Sequence, residues 1–165
     1  MRWPGILLIA VTTAGLTPRA VLTALRTTPI RDSELPSGFT HAQIEKQALS
    51  ANASKYHAIG LVDAALRGHD TVDGLAWIVF PTHAEAIGDL DHPVVGTNGV
   101  KVVNTVPGIK ESLILTGTLS GKSVTDAAAV VGNVLVQGVV VSSAVREPAA
   151  VLLLKTAIAH LKRVR

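Results

Sequence analysis

Cysteine is absent from the 165 residues, which excludes a disulfide framework, a thiol nucleophile, thiolate metal ligation and lipid attachment to an N-terminal cysteine. Aromatic side chains are scarce, limited to Trp3, Phe39, Tyr56, Trp77 and Phe80. So few stacking platforms weigh against single-stranded nucleic-acid binding. Charge is thin as well: Arg2, Arg19, Arg26 and Arg31 precede the first acid, Asp32, and beyond them basic and acidic side chains nearly balance. A body without a basic face releases few counterions on binding, so no nucleic-acid partner is expected. The terminal group Lys155, Lys162, Arg163 and Arg165 reads as cations favoured in the last turns of a helix.

Recognisable catalytic signatures are missing too. The string Gly117-Thr-Leu-Ser-Gly-Lys-Ser123 resembles a phosphate-binding loop but has three residues between its glycines where four are needed. It reads as a β-turn with an exposed lysine. His69, Asp70, Asp73, Ser120 and Ser123 can be combined on paper into a nucleophile, base and orienter, yet no Gly-x-Ser-x-Gly elbow accompanies them. His83, Asp89, Asp91 and His92 offer metal donors without an i, i+4 histidine pair or an HExxH motif. No catalytic, metal or cofactor-binding residue is therefore assigned; a metal-dependent enzyme using the His83–His92 loop is kept as the weakest alternative.

What the chain does have is aliphatic bulk, 48% of it apolar. The run WPGILLIAVTTAGL near the N-terminus, with acid-free flanks, has the length of an export signal's apolar region and falls short of the ~20 residues of a spanning helix. Residues 1–26 read as a signal-like or anchoring segment, with an uncleaved N-terminal helix and an ordinary buried helix as alternatives. Residues 27–39 read as a linker with two prolines and a glycine, and 40–165 as a single domain. The implied location is extracytoplasmic, with N-terminal membrane association one way of holding the chain there.

Within the domain, Thr40 predicts a capped helix over 41–51, with Ala42, Ile44, Ala48 and Leu49 on its apolar side. Residues 56–66 and 71–80 predict a hairpin, and Thr82 with Glu85 has capping-box spacing for a short helix. Strands are expected over 100–106, 113–119, 124–131 and 134–141, with turns at Gly121-Lys122 and Gly132-Asn133. Pro148 opens a helix whose stripe is Val151, Leu154, Ile158 and Leu161, widened by Leu153 and Ala157. His57 and Asp63 read as polar ends of a strand with an apolar centre. Short connections predict an α+β fold, a mainly antiparallel sheet with helices packed on one face as a two-layer sandwich.

Small residues concentrate in the sheet, and a concavity between sheet and helices would suit an apolar ligand. Ala58, Gly60, Ala76, Ile78, Leu154 and Ile158 are its candidate lining. The leading expectation is a non-enzymatic cell-envelope domain that binds a small apolar ligand or a protein partner. The second is an interaction protein that forms a homodimer through its open sheet or its 134–141 strand.

The N-terminal apolar segment followed by Leu35-Pro-Ser-Gly-Phe39 and a compact α+β body resembles small exported actinobacterial proteins of uncharacterised role. That resemblance implies export and assigns no catalytic residue. The absence of a lipobox cysteine departs from the lipid-anchored members.

Overall fold

The computed structural model describes residues 15–43, 48–69, 71–93 and 98–165. Most of the expected N-terminal apolar run, residues 1–14, lies outside the described residues, as do 44–47 of the expected 41–51 helix. Among the described residues seven strands form one antiparallel sheet: β1 (Thr40–His41), β2 (Gly60–Gly68), β3 (Thr71–Val79), β4 (Asn98–Asn104), β5 (Ser112–Leu119), β6 (Lys122–Val131) and β7 (Val134–Ser142). Their order across the sheet is β1-β2-β3-β7-β6-β5-β4. Four α-helices accompany them: α1 (Pro18–Thr27), α2 (Ala51–Lys55), α3 (His83–Asp91) and α4 (Glu147–Val164). The fold is α+β, as the strand spacing predicts.

Local chemistry sets most boundaries. At α1, the Thr17 hydroxyl accepts from the Ala20 amide, and Pro18 begins the helix where its missing N–H costs nothing. Thr82 caps α3 in the same way through the Glu85 amide. The turn between β6 and β7 has Gly132 at φ 64°, a left-handed conformation that favours glycine. Asn133 then ties that turn to the end of β3, its side-chain amide donating to the Phe80 carbonyl at 2.6 Å.

Three expectations need correcting. Residues 40–41 are an edge strand paired to Arg67 and Leu66, and the following helix starts only at Ala51, capped by Ser50. Pairing across the sheet outweighs the helix signal at Thr40. The turn expected at Gly121-Lys122 lies one residue earlier, at Ser120 and Gly121, both with positive φ; Lys122 already pairs with Leu119. On α4 the inward residues are Ala150, Leu153, Leu154, Ala157, His160 and Leu161, whereas Val151 and Ile158 sit at the margin.

The α4 shift has a steric cause. A Cβ on Gly138 of β7 would come within 2.4 Å of the Leu154 nitrogen and 2.6 Å of the Ala150 carbonyl oxygen. Helix backbone thus lies directly on sheet backbone, with alanine and glycine at the contact. The larger core packs there: α1 and α4 bury Val21, Leu25, Leu153 and Leu161 against Leu75, Trp77, Val136 and Ala127. The 27–39 segment docks onto the same side through Ile30, Leu35 and Phe39. A smaller core on the opposite sheet face joins Ala53 of α2 and Ala86 and Leu90 of α3 to Ile78, Phe80, Val130 and Leu135. It shields one end of that face and leaves the rest open.

β7 lies between β3 and β6 with its backbone paired on both sides. Pairing of two copies through residues 134–141 is therefore closed, since a strand inside a sheet has no free edge.

Candidate functional site

Registers determine what the open sheet face presents. Leu113, Ala128, Gln137, Ala76 and Asp63 are successive partners across β5, β6, β7, β3 and β2. The parallel row on the same face is Leu115, Asp126, Val139, Gly74 and Ala65. Side chains two residues apart share a face, so these rows form one floor. Ala128, Ala76, Gly74 and Ala65 flank Gln137 and Val139 with little side-chain bulk, and a groove of about 500 Å3 results. Val72, Leu119, Val124 and Val141 extend it along the strands, and Leu49, Ser50, Asp89, Leu90 and Pro93 close the end nearest α2 and α3.

At the floor stands one ionisable group out of keeping with its surroundings. Asp126 is 3% exposed. Its Oδ2 accepts from the Gln137 side-chain amide at 2.8 Å, while Oδ1 is buried without a hydrogen-bond partner. Burial drives its pKa up to about 7, against the opposing hydrogen bond from Gln137. A buried, unsatisfied acceptor costs about 1–3 kcal/mol.

Asp89 at the rim is also buried, and its Oδ1 accepts from the Asn52 side chain, whose amide also donates to the His92 carbonyl at 2.8 Å. Burial raises the Asp89 pKa more than the Asn52 bond lowers it. Asp63, half-buried, lies in the floor row beside Ala76. Among the described residues no lysine, arginine or histidine lines the groove.

The six candidate lining residues do not share one space. Ala76 and Ile78 line the groove. Ala58 precedes β2 and packs against the smaller core. Gly60 admits α1, since a Cβ there would lie 2.5 Å from a Leu22 methyl. Leu154 and Ile158 belong to α4 on the other side of the sheet, where helix backbone meets Gly138 directly. Asp126 and Gln137 went unassigned in the sequence, although Asp126 is the one acid of its strand and Gln137 the one amide side chain of the valine-rich strand after it.

The remaining chemistry-bearing residues have separate structural partners. His83 bonds to the Gly132 carbonyl and, at 3.0 Å, to Glu111; those two bonds push its pKa up. His92, about 13 Å along α3 by helical rise, stacks on Tyr56 and bonds to its hydroxyl at 2.9 Å. Among the described residues no group of three His, Asp or Glu side chains is arranged to hold a metal. The Gly117–Ser123 string forms the β5–β6 hairpin, with no helix after it. His57 lies before β2 at φ 63° and bonds to Glu85 at 3.0 Å. Asp73 faces the α4 side of the sheet, its Oδ2 accepting from Thr71 at 2.6 Å and its Oδ1, like that of Asp126, buried without a hydrogen-bond partner.

A second hollow of about 330 Å3 lies on the α4 side, lined by Leu25, Ile30, His41, Trp77 and His160. His160 donates to Glu34 at 2.9 Å, and Arg163 grips the same carboxylate at 3.0 and 2.9 Å. Trp77 donates to the Ala157 carbonyl at 3.0 Å. This cluster fastens the 27–39 segment to α4, and its groups satisfy one another.

No protein-family model and no curated protein matches the chain. Among solved structures, the extracellular domain of PknH from Mycobacterium tuberculosis aligns over 90% of this chain and 92% of its own, at 14% identity and a TM-score of 0.46. No helix among the described residues is long and apolar enough to cross a membrane.

Proposed function

We propose that the chain is a non-catalytic binding domain of the cell envelope that takes a small, largely apolar ligand in the groove over β2, β3, β7 and β6. The observation that carries this reading is the groove itself, about 500 Å3 and walled by aliphatic side chains around one buried polar pair. That volume and lining match small-molecule sites, in which apolar walls supply affinity and a few polar atoms set orientation. The envelope location draws on the apolar, acid-free N-terminal run. A reporter active only outside the cytosol, fused after residue 26, tests it; reporter activity confined to the cytosol would remove it.

Gly74 provides the binding test. A Cβ there meets only the Ala64 carbonyl oxygen, at 3.7 Å, and φ is ordinary, so a larger side chain fits the backbone and projects into the groove. N-phenyl-1-naphthylamine, a neutral apolar dye that brightens when desolvated, should bind the wild-type chain saturably. Gly74→Val should abolish saturable binding while leaving stability unchanged or higher. Equal dye binding by both proteins, or none by wild type, overturns the reading.

A further inference from the structure

We infer that the groove selects an apolar ligand carrying one protonated amine, with its ammonium seated against Oδ1 of Asp126. This deepens the ligand-binding reading above and rests on it. Two independent features point the same way. Asp126 Oδ1 is a buried acceptor without a donor, on the groove floor. Among the described residues, the ionisable side chains on the groove face are all acids: Asp63 from β2, Asp126 from β6 and Asp89 from α3, with β3, β5 and β7 contributing none. Asp89 is already engaged by Asn52, and Asp73 of β3, paired with Leu66 and Val140, turns to the opposite face of the sheet. An anionic headgroup would meet carboxylates without a compensating cation. A neutral hydroxyl would satisfy Oδ1 but gain nothing from the surrounding charge. An ammonium supplies both the missing hydrogen bond and the opposite charge, the stronger kind of contact in a desolvated site.

Burial pushes the Asp126 pKa up to about 7. Seating a cation requires the carboxylate, so binding releases a proton when it starts from the protonated acid. Affinity for the amine should rise about tenfold from about pH 6 to about pH 8 and then level off.

The test is displacement of N-phenyl-1-naphthylamine from the full chain by n-octylammonium, n-octanol and octanoate, which share a chain length and differ in headgroup. Octylammonium should compete at least about tenfold better than octanol at about pH 8, the increment of a charged hydrogen bond, with octanoate weakest. In Asp126→Asn, with each competitor compared at that variant's own dye affinity, the preference for the amine over the alcohol and its pH dependence should both disappear. Octanol or octanoate competing as well as the amine against bound dye overturns the inference and leaves the groove reading standing. An unchanged amine preference in the variant likewise overturns it. Failure of the dye to bind wild type overturns both.

Discussion

Replacing Asp126 by asparagine isolates the energetic cost of a carboxyl held in an apolar sheet. The pKa of this side chain is raised from 3.8 to about 7 by burial, so the unfolded chain ionises it more readily than the folded one. A raised acid contributes its stability when protonated: the contribution is intact below about pH 4, declines as pH climbs, and is lost by about pH 7. At ~1.4 kcal/mol per pH unit the difference amounts to roughly 4 kcal/mol at full desolvation. Water entering the open mouth of the groove reduces it, so a range of about 1 to 4 kcal/mol is expected at pH 8. Asparagine has the same shape and no charge to desolvate, and its amide can still pair with Gln137. Urea unfolding followed by tryptophan fluorescence, with Trp77 fully buried, measures both proteins from about pH 4 to pH 8. Asp73 and Asp89 titrate in both proteins and cancel in the comparison. The variant should be near wild type at pH 4 and progressively more stable above it. A stability difference that does not change with pH, or a variant weaker than wild type at pH 8, would refute the reasoning.

Two further substitutions probe the opposite side of the sheet. Gly138→Ala drives a methyl into the Leu154, Ala150 and Leu153 backbone, which cannot rotate away, so a loss of about 1–3 kcal/mol or more is expected in denaturant unfolding; an unchanged midpoint would show that α4 is not seated on β7 as described. Glu34→Gln should cost about 1–3 kcal/mol near neutral pH through lost charged hydrogen bonds to His160 and Arg163. Burial pushes the Glu34 carboxyl up, but the bonds from His160, the Arg31 amide and Arg163 prevail and hold it at about 2. A lowered acid stabilises above its ordinary pKa, so the gap should close as pH falls from about 4.5 toward 2; a gap independent of acid would contradict the assignment.

The elements most legible in the sequence are those specified by their own residues. The Gly132-Asn133 hairpin, the Thr82 cap of α3 and the pairing of 60–68 with 71–79 follow from turn chemistry and alternation over a few positions. Residues 40–43 misled because edge pairing with β2 contributes more there than a helix cap does. The inward face of α4 was legible only as apolar, because its rotation depends on Gly138, some sixteen residues upstream of Leu154.

The order of residues alone determined that this would be an aliphatic, cysteine-free α+β body with an antiparallel sheet, because periodicity and turn residues act between near neighbours. Only the folded chain decided that β7 would be central, that helices would meet one face closely and leave half of the other uncovered, and that Asp126 would lie beside Gln137 within that uncovered half. Strand order and register join positions far apart along the chain, and their energies exist only once the sheet has assembled.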